Sequence, residues 1–342
     1  MMLSNLVSWF LASVVVASLG DVAKAHDAAT ENAGVLRDPH LDYASYEPRE
    51  TDIIIDRAAY LDRLHGFWLG QSIANWTGLI TEFDKIGGPG VHGEFYTRED
   101  WGGPDQPAIW SDGAPSEIST TIDFVLRGEN EVWGADDDTD IEYIYQHTLY
   151  AEGVSVLSAD QIRNAWLNHI YDETKATPYG FDYVDTTQEK YQNYLWVSNQ
   201  RAHELMLSGV KPPETSAPEK NPHWNMIDAQ LTTEIFGLFS PARPDMALTS
   251  AHLPIRVSAR ENAAWAAEFY VIMHALAPVV DDNLTMAEKV QWLAKQARYH
   301  LPDGSYSAAM FDFVKSEYEA GSTWESVRDQ LYQKFQVNQE NG

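Results

Sequence analysis

Cysteine is absent from the 342 residues, so no disulfide can brace the fold, and a chain able to fill a sizeable core needs none, exported or not. Basic residues are scarce: 23 Lys and Arg stand against 51 Asp and Glu, giving a formal net charge of -28 and a pI near 4.5. That balance leaves no basic stripe to neutralise phosphates, which disfavours nucleic-acid binding driven by electrostatics. Alternating strand patterns are few and no repeat of fixed period runs through the chain. Beyond the N-terminus, no apolar run reaches membrane-spanning length.

What is present is enough for a large core, with 44% hydrophobic and 12% aromatic residues. The apolar stretch Leu6 to Leu19, followed by Ala23-Lys24-Ala25, reads as a secretory signal over residues 1–25, although no Lys or Arg precedes it. Export to a periplasmic or secreted location is therefore expected, with no stable membrane insertion once the signal is removed. Residues 26–51 are polar and punctuated by Pro39 and Pro48, as in an irregular leader. A single helical domain is expected over 52–342.

From Asp56 to Leu79 the residues Leu61, Leu64, Phe67, Trp68, Ile73 and Trp76 recur at helical spacing, and Gly66 and Gly70 would permit close packing of a central helix. Glu82 to Pro115, rich in Gly, Pro, Asp and Trp, predicts a long loop region. Further helices are predicted at Asp138–Tyr150, Ala159–His169, Thr187–Ser208, Met226–Phe239, Pro244–Ser258, Glu261–Leu276, Met286–Arg298, Ser305–Ala320 and Thr323–Phe335. The class is all-α.

Asp136-Asp137-Asp138-Thr139-Asp140-Ile141-Glu142 packs five carboxylates into seven residues where a helix begins. Such crowding calls for a cation, and hard divalent ions take oxygen ligands. Thr139-x-x-Glu142 equally fits a capping box, with the acids favoured by the macrodipole of the first turn. Both readings stand on this stretch alone. Histidines 147, 203, 223, 252 and 274 form no i, i+4 pair joined to a Glu, which argues against zinc. No glycine-rich phosphate loop follows a strand, and no Gly-x-Ser-x-Gly elbow is present.

Three stretches together resemble the ADP-ribosylglycohydrolase family: Gly66-Phe67-Trp68-Leu69-Gly70-Gln71, Asp136-Asp137-Asp138-Thr139, and Ile227 to Gly237 followed by Pro241 to Asp245 and the helix through Trp265 to Phe269. The resemblance implies an orthogonal helical bundle that hydrolyses a glycosidic bond to ADP-ribose with Mg2+ or Mn2+, the centre being binuclear when complete. Carried over by position, Asp137 and Asp138 become metal ligands and Asp136 replaces a threonine as an oxygen donor. Thr139, Asp140 and Glu142 would support those ligands. Glu82 is the candidate catalytic acid, and Trp76 and Trp133 are candidate stacking platforms for a sugar or base. Gln71 stands where the family carries an acid, and no late Asp-x-Asp-Thr or Asp-x-Asp-Ser motif is found. The chain either stops before the family's last helices or is a divergent member. The expected activity is metal-dependent hydrolysis of an ADP-ribosyl, nucleosidyl or related ribosyl substrate. The alternatives are an exported binding protein for a sugar, nucleotide or divalent cation on the same fold, or a structural helical domain whose acidic run only caps a helix.

Overall fold

The computed structural model describes residues 49–78, 80–81, 95–107, 119–124, 128, 137–170, 184–185, 190–191, 195 and 197–338. Within these the chain is all-α: α1 (Arg57–Gly78), α2 (Asp137–Glu152), α3 (Ala159–His169), α4 (Val197–Leu207), α5 (Asp228–Thr232), α6 (Ile235–Leu238), α7 (Pro244–Ile255), α8 (Glu261–Leu276), α9 (Met286–Arg298), α10 (Tyr306–Glu319) and α11 (Trp324–Leu331). The described strands are β1 (Val184–Asp185) and β2 (Lys190–Tyr191), an antiparallel ladder in which Val184 faces Tyr191. No helix among the described residues is long and apolar enough to cross a membrane.

The chain divides into two compact units, one comprising Met1–Arg57 and Asp136–Pro302, the other Ala58–Ala135 and Asp303–Gly342. The signal and nearly all of the leader lie outside the described residues.

In the first unit, α8 is the hub, packed by α5, α6, α7 and α9. Its buried residues Ala264, Ala267, Glu268, Val271, Ile272, Ala275 and Leu276 recur at spacings of three and four, the stripe that a helix presents to a core. The alanines keep that face shallow. At Gly237 of α6, an added Cβ would fall 2.4 Å from the Val271 carbonyl oxygen, so glycine is required for the approach of α6 to α8. Glu268 is the polar exception in the stripe; Arg256 meets one carboxylate oxygen at 3.0 Å and His300 the other at 2.7 Å. A buried carboxylate needs such partners.

In the second unit, α11 is capped by the Thr323 hydroxyl, which accepts the Ser326 N–H at 3.3 Å, and a π-type turn, Tyr332–Val337, follows it. Phe335 from that turn meets Tyr306 and Phe313 of α10. The segment 95–107, part of the predicted loop region, is tied to α11: Arg328 donates to the Tyr96 carbonyl and lies over the Phe95 ring at 4.8 Å, and Arg98 pairs with Glu325 at 2.9 Å.

Several boundaries differ from those the sequence predicts. The helix predicted from Thr187 starts only at Val197, whose φ of +34° is incompatible with a continuous right-handed helix through it. Lys190 and Tyr191 pair with β1 instead. The single helix predicted over Met226–Phe239 is two helices, broken at Thr233 and Glu234. Among the described residues, an added Cβ at Gly66 or Gly70 of α1 would meet nothing within 4 Å, so no described neighbouring helix is admitted by either glycine.

Candidate metal and catalytic site

Helix α2 opens at Asp137, which puts Asp137 and Asp138 in its first turn, where carboxylates are favoured by the unpaired N–H groups and the macrodipole. Thr139 is the third helical residue and not the cap, so the capping box with Glu142 does not open this helix. Asp138, Thr139 and Asp140 are half-buried. Glu142 follows on the face that also buries Ile141, Ile144, Tyr145 and Thr148. Its exposure is 0%, and its Oε1 accepts the backbone N–H of Ile235 at 3.1 Å.

That bond explains the break between α5 and α6. In one continuous helix the Ile235 N–H would bond to Leu231; here it is given to a carboxylate 93 residues away in sequence. Thr232 and Thr233 add to the interruption by donating their hydroxyls to the carbonyls of Asp228 at 3.1 Å and Ala229 at 2.6 Å. Ring packing reinforces the junction, with Tyr145 and Phe236 at 5.3 Å and the Trp166 indole N–H donating to the Tyr145 hydroxyl at 3.2 Å. Burial pushes the Tyr145 phenol well above its ordinary value. Asp228, also buried, accepts the Asn199 N–H at 3.1 Å and so holds the first turn of α4. Glu234, beside Ile235, contributes after burial to raising the Tyr270 phenol.

The helix that the acidic run opens and the stretch Ile227 to Gly237 therefore meet in one unit, through Glu142 and Tyr145. Asp228 received no role from sequence reasoning, because the N–H it accepts belongs to another helix 29 residues earlier. Asp137 and Trp76 are placed by their backbones alone. Glu82, Asp136 and Trp133 lie outside the described residues.

The family model for ADP-ribosylglycohydrolase matches residues 56–340. The chain belongs to the ADP-ribosylglycohydrolase family. No curated protein and no solved structure matches it. Membership points to glycosidic-bond hydrolysis of a small-molecule substrate, in a family generally dependent on a divalent metal. The donors in the acidic run suit that metal class: they are hard carboxylate oxygens, two of them on a first helical turn. Among the described residues no group of three or more His, Asp or Glu is arranged to hold an ion. Of the run, Glu142 is engaged through its Oε1 with the Ile235 N–H.

Proposed function

We propose that this ADP-ribosylglycohydrolase-family chain is an exported hydrolase that uses Mg2+ or Mn2+ to cleave the glycosidic bond of an ADP-ribosyl, nucleosidyl or related ribosyl substrate. The observation that carries this reading is the acidic first turn of α2, braced through Glu142 against the Ile227 to Gly237 segment, within a family match spanning 56–340. A helix braced at its N-terminal end can hold carboxylates in one arrangement, which a metal site requires.

In this reading Asp136, Asp137 and Asp138 hold the ion. A bound divalent ion would lower the pKa of a water and stabilise charge on an oxygen near the anomeric carbon. Glu82 carries the proton transfer, either from the attacking water or to the departing group, which together add the elements of water across the broken bond. Thr139 and Asp140 support the ligands, and Glu142 fixes the direction of α2. Trp76 and Trp133 supply faces on which a base or sugar ring stacks. Export rests on Leu6 to Leu19 and on Ala23-Lys24-Ala25, and N-terminal sequencing of the protein recovered outside the cytoplasm should begin at His26.

The test is turnover of ADP-ribose conjugates and nucleosides by the mature protein with Mn2+, beside a chelator control and Asp138→Asn. Hydrolysis that disappears with chelator and falls roughly 100-fold or more in Asp138→Asn supports the reading, since a lost ligand removes the ion's contribution to the barrier. Equal turnover in all three samples would overturn the metal role. Ligand binding without turnover would establish the non-catalytic alternative.

A further inference from the structure

Two Asn-x-Ser/Thr tripeptides occur in the chain, Asn75-Trp76-Thr77 and Asn283-Leu284-Thr285. The structure separates them. Asn75 is half-buried within the continuous helix α1, and the Thr77 hydroxyl donates to the Ile73 carbonyl one turn back at 2.8 Å. Asn283 stands instead in the turn that leads into α9, where Asp281, Asp282, Asn283 and Thr285 are all exposed. The Leu284 N–H closes that turn on the Asp281 carbonyl at 3.2 Å. Oδ1 of Asp281 accepts the backbone N–H of Asn283 at 2.9 Å and its side-chain amide at 2.8 Å. Thr285 follows as the cap of α9, its hydroxyl accepting the Glu288 N–H at 3.3 Å.

We propose that Asn283 is the acceptor of an N-linked oligosaccharide, attached as the chain is exported. The inference rests on the export reading given above. A side-chain amide is a poor nucleophile, so this modification is made by an enzyme that reads an asparagine with a hydroxyl two residues on, in accessible surface backbone. Asn283 meets both demands, and the helical backbone of α1 withholds Asn75. An acid two residues before the asparagine, which transferases of the bacterial type also require, is present as Asp281, whereas Ile73 holds that place before Asn75. The backbone and side-chain bonds from Asn283 hold the Asp281 carboxyl below its ordinary value, so it is ionised at neutral pH. The donor class is an oligosaccharide on a polyprenyl pyrophosphate. Nδ2 of Asn283 bonds to the anomeric carbon, the bond from that carbon to the pyrophosphate oxygen breaks with its electron pair leaving on the pyrophosphate, and one amide proton passes to a base. The product is a hydrophilic, bulky group on an exposed turn, where it displaces no packed side chain.

The experiment expresses the full chain in cells that carry an oligosaccharyltransferase and its lipid-linked oligosaccharide at the exporting membrane, beside Asn283→Gln and Asn75→Gln. Protein recovered outside the cytoplasm is read by N-terminal sequencing, intact mass and mass spectrometry of the peptide that carries residue 283. Chains that begin at His26 and bear a single oligosaccharide on that peptide are expected, with the added mass lost in Asn283→Gln and kept in Asn75→Gln. Exported chains without the added mass, or an added mass that survives Asn283→Gln, would overturn this inference and leave the export reading standing. Chains held inside the cell with Met1 intact would overturn the export reading and this inference with it.

Discussion

At the scale of single residues, Glu142 joins the acidic helix to the rest of its unit. Glu142→Ala would leave the Ile235 N–H without its acceptor and open a void at a fully buried position, at a cost of about 2–4 kcal/mol. Glu142→Gln keeps a carbonyl oxygen in place and should cost less than half as much. Urea denaturation of the two variants measures the difference, and equal losses would show that the hydrogen bond to Ile235 is not what matters. Proton binding can be read at His274. Burial lowers this imidazole, while its contact with the Tyr270 carbonyl at 2.9 Å acts in the opposite direction. A histidine held below its unfolded value contributes stability that is present above about pH 6.5 and is lost as pH falls towards the folded value. Denaturation midpoints should therefore fall more steeply below pH 6.5 in the native protein than in His274→Gln, and parallel curves would refute this role.

At the scale of elements, α3, α8 and α9 run over the residues their sequence patterns predict, because local chemistry marks their ends or their faces. Ser158 with Gln161 and Thr285 with Glu288 form capping boxes, and α8 carries an uninterrupted buried stripe. The break between α5 and α6 was not legible, since the group that takes the Ile235 N–H belongs to another helix. Pairing of Lys190 with Asp185 was hidden in the same way, because two-residue strands show no alternation. At Val197 the positive φ of 34° places a β-branched residue where glycine is favoured. Val197→Gly should raise stability by about 1 kcal/mol by relieving that strain. Loss of stability in this variant would show that the contacts of Val197 outweigh its backbone strain.

At the scale of the molecule, the charge of -28 repels itself within each compact unit. Raising NaCl from about 0.05 M to 0.5 M shortens the screening length and should raise Tm; an unchanged or lower Tm would show that paired charges already offset the repulsion. The family could be recognised in the sequence from three separated stretches, two of which lie in the first unit. The acidic run was legible only as a choice between a cap and a cation site. The helix start at Asp137 rejects Thr139 as the cap, but a carboxylate in a first turn is favoured electrostatically with or without an ion. Calorimetric titration of Mn2+ into metal-stripped mature protein, beside Asp137→Asn and Asp138→Asn, therefore tests the central claim most directly. Binding by the native protein that is lost in both variants is expected; no binding, or binding that both variants retain, would contradict a metal-dependent hydrolase centred on the first turn of α2.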